Sequence, residues 1–563
     1  MSWKIRSLKT EGSFIDVQRL RELGPYSFAR SVQRLLNHLG FTDVFNIDGR
    51  GDGGADVIGR RGGKLWVVQC KWKKSGPVAD SAVDEVLNAR SLYAADTAVV
   101  ATNTRFTEKT KRRASLINET SETLRLWGFN ELETLFEDEK VCRNRIAEIE
   151  FRKYQLEAFN EGLRCLRESN RALLVLATGL GKTVIAGELI SSYLQDHPQA
   201  KVLVLAHTKE LVQQLERALW LHLEKRQPTQ LVNQHEKPDR FEGVTVSTIQ
   251  SALPIVQQGY SPDFVFIDEA HHIGGQGMYA DLLSLLRPAS KKLAVTATPW
   301  RADSYDLVSY FGEPAYSMGI SDGMRLGYLS QVDYKLYVDN IDWAMVEEIS
   351  DHGYSVKDLN RRLFLPQRDE KIRDELLGVW TSVIRPRAII FCQTIEHAER
   401  MAALLRQVPE WSNAAALHSN LPTLRERQKI MLDFRLGNIP VLVAVDVLNE
   451  GVDVPDVNIV VFARVTHSRK IFVQQLGRGL RIADDKESVV VLDFVSDIRR
   501  VAALLDLKAN VEEDDIETKY LPSSHSIVFN DVKAEELMRE WIRDAADLET
   551  ASDETTLNFP QRR

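Results

Sequence analysis

The apolar run Ala172 to Ala177 passes directly into Thr178-Gly179-Leu180-Gly181-Lys182-Thr183 and then into a helical pattern. Strand, glycine loop and helix in that order leave few folds open, because the loop must sit at a sheet edge with the helix packed back across the sheet. Small glycines let backbone N–H groups close around phosphate oxygens at the positive end of the helix. Lys182 can then reach the β and γ oxygens, and the Thr183 hydroxyl can help to hold Mg²⁺. Leu176 stands where the general pattern has its first glycine, so the loop has to be judged together with its partners.

Those partners come in order along the chain. The apolar strand Phe264 to Ile267 ends in Asp268-Glu269-Ala270-His271. A carboxylate at that strand end, Asp268, suits a Mg²⁺ ligand, and Glu269 is placed to polarise the water that attacks the γ-phosphate. Around these motifs short apolar runs alternate with helical stretches: Ala172 to Ala177, Lys201 to Ala206, Phe264 to Ile267 and Leu293 to Val295. After a less regular stretch from about 300 to 385, the rhythm resumes with Ala388 to Phe391, Val441 to Val445 and Ile459 to Phe462. This is the pattern of a parallel sheet covered by helices on both faces, repeated twice.

The series from Gln155 to Arg481 resembles a superfamily 2 helicase of the DEAH-box type, in the branch of restriction-enzyme motor subunits and Rad25-like translocases. The resemblance covers about 151 to 485. Arg152 and Gln155 match the adenine-reading motif; Thr248-Ile249-Gln250 and Thr296-Ala297-Thr298 match strand-contacting and coupling motifs. Asn449-Glu450-Gly451-Val452-Asp453, with Gly451 and Asp453 toward the nucleotide, and Gln474 to Arg481 match motifs of the second lobe. The resemblance implies two RecA-like lobes, bound ATP and Mg²⁺, and movement along nucleic acid. Arg478 and Arg481, three apart on one helical face, suit neutralisation of charge developing on the γ-phosphate. With one lobe supplying the phosphate loop and the other the arginines, hydrolysis is expected to open and close the cleft.

The front of the chain carries a second constellation. Asp48-Gly49-Arg50-Gly51-Asp52-Gly53-Gly54-Ala55-Asp56 is followed by a turn and by Leu65 to Lys71, which contains Gln69-Cys70-Lys71. Neighbouring strands that set Asp56 beside Gln69 and Lys71 would place a carboxylate and an amide oxygen on a hard divalent ion with an ammonium alongside, a donor set suited to phosphodiester hydrolysis. Gln69 and Lys71, two apart on a strand, share a face. This arrangement resembles the Mrr-like restriction endonucleases, which carry a D…QxK variant of the PD-(D/E)xK core, over about 20 to 136. That family often has Glu directly after the Phe that opens the first helix; here Phe28 is followed by Ala29. Either the domain cuts DNA, or it grips DNA without cutting. The basic cluster Lys109, Lys111, Arg112, Arg113 is a backbone contact or a solvated helix face.

The net charge of -8 at first argues against a nucleic-acid partner, yet residues 501 to 563 carry 15 acidic and 7 basic residues and so hold all of it. Residues 1 to 130 carry 21 basic against 14 acidic, so the front end is basic and DNA is not excluded. The four cysteines have no CxxC spacing, which points to reduced thiols rather than a disulfide or zinc framework. No apolar run reaches membrane-spanning length, and the N-terminus lacks a signal-peptide core, so a cytoplasmic location without membrane attachment is expected.

The expected organisation is α/β: a restriction-endonuclease-like domain over 1–140, RecA-like lobes over 141–325 and 326–500 with doubly wound parallel sheets, and an acidic, mainly helical tail over 501–563. Charged sequence near Glu137 to Glu150 reads as a helical connector. In the tail, Glu512 to Glu517 reads as a solvated loop or as a groove occupant displaced by substrate, and Ala534 to Leu548 as an amphipathic helix. The expected function is an ATP-dependent DNA helicase or translocase, on single- or double-stranded DNA, coupled to a Mg²⁺-dependent endonuclease in prokaryotic restriction or anti-phage defence. The competing readings are a remodelling translocase and an ATP-gated DNA sensor that signals to a protein partner or self-associates.

Overall fold

A computed structural model describes residues 12–22, 24–47, 54–121, 123–233, 236–297, 307–337, 354–355, 369–418, 420–421, 424–435, 437–445, 457–463, 488–494, 527–529 and 556–557. The chain forms two compact units, residues 1–174 with 181–317, and residues 175–180 with 318–563.

The first unit begins with a small α/β domain. Helices α1 (Val17–Glu22) and α2 (Gly24–His38) precede strands β1 (Thr42–Asn46), β2 (Val57–Arg61) and β3 (Lys64–Lys71). Helix α3 (Ser81–Leu92) leads to β4 (Thr97–Thr102), α4 (Glu108–Ser121) to β5 (Leu124–Trp127), and α5 (Phe129–Glu137) closes the domain. The five strands lie in the order β1-β2-β3-β4-β5, antiparallel from β1 to β3 and parallel from β3 to β5. Strand alternation divides β3 between two layers. Trp66 and Val68 join Phe28, Val32, Leu35 and Leu36 of α2 in one apolar core. Val67, Gln69 and Lys71 therefore face the other side, where α3 packs on β3 and β4.

The sequence from Glu137 to Glu150 is not the helix its charge density suggests: α5 ends at Glu137, and the segment beyond it is built of turns and extended chain. Its backbone bonds go to neighbours instead. Arg143 N–H donates to His38 C=O at 3.0 Å, and Asn144 C=O accepts from Lys225 N–H at 2.8 Å. Arg145 reaches Ser191 Oγ at 2.6 Å and Glu188 at 3.5 Å. A tether bonded this way cannot also satisfy a helical ladder.

His38 sits fully buried at this tether, with Nδ1 2.9 Å from Arg143 C=O. Burial and then the Arg34 charge push its pKa down to about 3, against the opposing pull of the Arg143 carbonyl. A histidine depressed in the native state is neutral there while the unfolded chain binds a proton, so its stability contribution is full above the unfolded pKa and declines as pH falls below about 6.5. Denaturant unfolding at pH 7 and pH 5 is expected to show native stability falling at up to about 1.4 kcal/mol per pH unit from this residue. In His38→Gln that part of the slope should vanish.

Next along the chain come α6 (Lys153–Ser169), β6 (Arg171–Leu176), at whose residue 174 the first unit breaks off until 181, α7 (Lys182–Asp196), β7 (Val202–Ala206), α8 (Lys209–Trp220) and β8 (Thr229–Val232). Then come β9 (Val244–Thr248), α9 (Ile249–Gln257), β10 (Phe264–Ile267), α10 (Met278–Leu285), β11 (Lys291–Thr296) and β12 (Tyr316–Met318). The sheet order is β8-β9-β7-β10-β11-β6-β12. Strands β7 and β10 are buried along their whole length and β6 from Ala172 onward, which is why they read as continuous apolar runs.

In the second unit, β13 (Gln331–Tyr337), α11 (Asp369–Trp380), β14 (Ala388–Phe391), α12 (Ile395–Leu405), β15 (Ala415–Leu417), α13 (Leu424–Arg435), β16 (Val441–Ala444), β17 (Ile459–Phe462), β18 (Ser488–Phe494) and β19 (Ile527–Phe529) follow. Their sheet runs β15-β16-β14-β17-β18-β13-β19, with parallel pairings throughout. Two of its strands fall where no lobe strand is expected from sequence. β13 lies in the stretch that reads as irregular, and β19 lies in the tail, so the tail contributes to this lobe's sheet. The acidic run Glu512 to Glu517 and the helix expected over Ala534 to Leu548 lie outside the described residues.

Candidate functional site

Parallel strands deliver all their carboxyl ends to one edge of a sheet, and ligands of open α/β sheets bind there. In the first unit that edge gathers Gly181 and Lys182 at the start of α7, Asp268 and Glu269 after β10, Thr296 at the end of β11 and Thr248 at the end of β9. Gly179 and Gly181 take φ 94° and 78°, the left-handed region that permits a tight loop before α7. A Cβ on Gly181 would lie 2.6 Å from Gln155 Nε2, so the Gln155 amide packs directly on the loop. Gln155 Oε1 accepts from Arg152 N–H at 3.0 Å, which fixes the amide at the start of α6.

Lys182 is the first residue of α7, and its ammonium lies 3.4 Å from Glu269 Oε1. Glu269 has φ 49°, uncommon for a residue with a side chain, and this turn directs its carboxylate between two partners. The other partner is His271, whose Nδ1 is 3.2 Å from Glu269 Oε2 and 3.1 Å from Thr296 Oγ1. A line of contacts thus runs from the loop lysine through Glu269 and His271 to Thr296, the first residue of the Thr296-Ala297-Thr298 motif. Asp268 is buried at the strand end, Thr178 is buried in the loop and Thr183 is half-buried. Thr248 is buried and Gln250 exposed, so of the two only Gln250 meets solvent. Thr298, Gly451, Asp453, Arg478 and Arg481 lie outside the described residues.

At the front end the structure brings the three expected residues together. Asp56 precedes β2, its N–H donates to Val68 C=O at 2.9 Å, and its Oδ2 accepts from Cys70 N–H at 2.5 Å. Asp56 is therefore set opposite the residue between Gln69 and Lys71. Those two side chains converge on a residue with no mark in the local motif: Glu85 on α3. Gln69 Nε2 donates to Glu85 Oε2 at 2.6 Å and Lys71 Nζ at 2.5 Å. Partial burial alone would raise the Glu85 carboxyl, but the hydrogen bonds from Lys71 and Gln69 outweigh it and hold the group below its ordinary range.

Gln69 is 4% exposed, and its Oε1 is buried without a hydrogen-bond partner. An orphaned carbonyl-type oxygen beside carboxylates is a costly arrangement that a hard cation would relieve, so these donors fit a divalent ion. Among the described residues no three His, Cys, Asp or Glu side chains group around one point, and the donors here are two carboxylates and an amide. Asp52 lies outside the described residues. Ala29 is buried on α2, on the opposite side of β3 from Gln69 and Lys71.

The basic cluster on α4 is largely spoken for. Lys109 lies 2.9 Å from Asp80, Lys111 2.9 Å from Glu108, and Arg113 pairs with Asp84 at 2.9 Å. These pairings favour a solvated helix face over a phosphate-contacting one. All four cysteines are free thiols, and no described helix is long and apolar enough to cross a membrane.

Comparison with known proteins finds three matched segments along the chain. Residues 20–136 match the Mrr catalytic family of restriction endonucleases, residues 148–301 the type III restriction enzyme res subunit family, and residues 367–483 the helicase conserved C-terminal domain. A Schizosaccharomyces pombe protein named as a mitochondrial ATP-dependent helicase is 28% identical over 395 residues, 67% of this chain and 63% of its own. The type I restriction enzyme EcoAI endonuclease subunit of Escherichia coli is 26% identical over 392 residues, 61% of this chain and 46% of its own. The chain thus spans only part of the length of these relatives. The solved structure of the ATP-dependent type ISP restriction-modification enzyme LlaBIII, bound to DNA, superposes with a TM-score of 0.50 at 18% identity, covering 95% of this chain and 42% of that one. At that identity the likeness concerns the fold.

Proposed function

We propose that this chain, a superfamily 2 helicase preceded by an Mrr-type restriction endonuclease domain, travels on DNA at the expense of ATP and cleaves it at a cation site in the front domain. Restriction of foreign DNA is the setting that suits this pairing. The observation that carries the reading is the buried, unpartnered oxygen of Gln69, a residue that shares the Glu85 carboxylate with Lys71, on the same chain as a lysine and glutamate that meet beside a phosphate loop.

On the motor side, Gly179, Gly181, Lys182 and Thr183 would cradle the triphosphate, with Arg152 and Gln155 at the base. Thr183 and Asp268 would hold Mg²⁺, which when bound neutralises phosphate charge. Glu269, drawn away from Lys182 by nucleotide, would orient water, with His271 relaying its position to Thr296. Gln250 offers the exposed contact to a nucleic-acid strand, with Thr248 supporting it from the strand end. Gly451, Asp453, Arg478 and Arg481 are the proposed contribution of the second lobe.

In the front domain, Asp56 and Gln69 would hold a divalent ion, magnesium in our reading, which when bound polarises the phosphate and acidifies a water. Lys71 would place an ammonium against the charge that builds on the phosphate oxygens. The domain limits proposed are 1–140, 141–325, 326–500 and 501–563, with the last segment lending a strand to the second lobe. A cytoplasmic location and a protein partner or second copy fit this function.

Mg²⁺-dependent cleavage of plasmid DNA is expected from the wild type, and a loss of about 10²-fold from Lys71→Ala and Asp56→Ala with ATPase retained. Equal cleavage by both variants would remove the nuclease assignment. Ala29, which leaves α2 without the family's acid, favours a second reading: a translocase whose front domain binds but does not cut. Tight DNA binding with no cleavage by the wild type under any divalent ion would select it.

A further inference from the structure

We propose that Glu85 is the third donor of the front-domain cation site and supplies, from α3, the carboxylate that Ala29 does not. The proposal rests on the cation-assisted reading above.

Position 29 is on the wrong layer. Helix α2 covers the face of β3 that carries Trp66 and Val68, whereas Gln69 and Lys71 point to the opposite face. The next residue on α2, Arg30, is buried against Glu216 and Glu236 of the first lobe, so this part of α2 serves docking. Helix α3 is the element that faces the QxK pair. Its buried residues are Ala82, Val83, Val86 and Ala89, and Glu85, three after Ala82 and four before Ala89, sits at the edge of that stripe. A carboxylate there has a choice between solvent and the strand, and it takes the strand, bonding both Gln69 and Lys71 through one oxygen.

The loop before Asp56 is fitted to the same helix turn. Gly54 has φ 91°, and a Cβ on it would lie 2.7 Å from Glu85 C=O. Glu85 is thus tied by its backbone to the Asp56 loop and by its side chain to the pair on β3. The Lys71 ammonium on Glu85 is itself a cation held by this group, and the Gln69 oxygen beside it has no partner. The Glu85 side chain is 44% exposed, which leaves a route for a hydrated ion. Two carboxylates and an amide oxygen make a hard, oxygen-only donor set for a divalent cation. The role also separates Glu85 from its neighbour Asp84, which pairs with Arg113 on the outer surface.

The test is Mn²⁺ binding to the nucleotide-free full chain by titration calorimetry, with cleavage measured against Mn²⁺ concentration. Binding that is lost in Asp56→Ala defines the front site. Glu85→Gln is expected to weaken that component at least about tenfold, both alone and in a Lys71→Met background, with Glu85→Asp intermediate and Asp84→Asn unchanged. Unaltered ATPase and thermal unfolding would show that the variants are folded. If Glu85→Gln is silent while Asp56→Ala abolishes binding, the cation site stands and the Glu85 assignment falls. If Glu85→Gln acts only when Lys71 is present, Glu85 positions the lysine and is no ligand. Should Mn²⁺ binding ignore Asp56→Ala, the cation-site reading falls and this assignment with it.

Discussion

ATP turnover by Lys182→Ala is expected to fall by about 10²- to 10³-fold, with little change in the stability of the first unit. The ammonium contacts Glu269 at the phosphate-loop edge and sits at the first turn of α7, where helix dipole and loop N–H groups already favour anions. Backbone donors alone bind phosphate; the lysine adds charge that follows the γ-phosphate into the transition state. Removing it should therefore lower kcat more than it raises KM. Glu269 keeps His271 as a partner after the substitution, so no buried carboxylate is stranded. Arginine at this position should not rescue, because a planar fork cannot enter a loop closed around a point charge. Phosphate-release kinetics decide the matter: turnover within threefold of wild type would end the motor assignment. Cleavage of a short duplex without ATP should be unaffected, since the proposed cation site lies on β3 and α3.

The residues around these sites differ in how far sequence can reveal them. Asp268, Glu269, Lys182, Asp56, Gln69 and Lys71 stand out in the sequence because each proposed chemistry is local: a strand end, a loop, or two positions on one strand, with spacing set by backbone geometry. The central strands are legible for a related reason, since both faces are buried and the run is continuously apolar. Glu85 is not legible. Its proposed role depends on which helix packs on which face of β3, and an exposed-looking glutamate in Ser81–Leu92 carries no local signature. Strand β13 escapes a reading by pattern because Gln331-Val332-Asp333-Tyr334-Lys335-Leu336-Tyr337 mixes polar residues with apolar ones, unlike β18 beside it, which is buried from Val489 to Phe494. The connector after Glu137 misleads because helix propensity is a weak prior that tertiary bonds from Asn144 and Arg145 override.

Arg30→Ala is expected to destabilise the join between the front domain and the first lobe by about 3 to 5 kcal/mol. The Arg30 side chain is only 10% exposed, with Nε 2.9 Å from Glu216 Oε2 and Nη2 2.7 Å from Glu236 Oε2, and a further contact from Nη1 to Glu236 Oε1. Burial works against the guanidinium charge, but the two carboxylates outweigh it and hold the group above its ordinary range. Glu216 and Glu236 are 1% and 4% exposed, and deleting the arginine removes the guanidinium that bonds both carboxylates, which is costlier than the loss of the contacts alone. Arg34, one helical turn on, donates to Gln227 C=O at 2.8 Å and Glu224 C=O at 3.0 Å, and Arg226 reaches back to Glu137 at 2.9 Å. These secondary bonds should keep the two domains associated but no longer cooperative. Denaturant unfolding is therefore expected to change from one transition for the first unit to two, with limited proteolysis cutting near 138–150. A triple variant, Arg30→Met with Glu216→Gln and Glu236→Gln, removes all the charges together and should recover much of the loss, because the penalty is the stranded charge rather than the missing bond. A loss below about 1 kcal/mol in Arg30→Ala, the value of an exposed pair, would mean that water reaches the carboxylates and that the domains are loosely joined. With the join intact, the Asp56 site rides on the lobe that bears Lys182 and Glu269. Cleavage would then be placed by where the motor stops rather than by a search of the front domain on its own, and Arg30→Ala should cut short duplexes normally while losing ATP-stimulated cleavage of long ones.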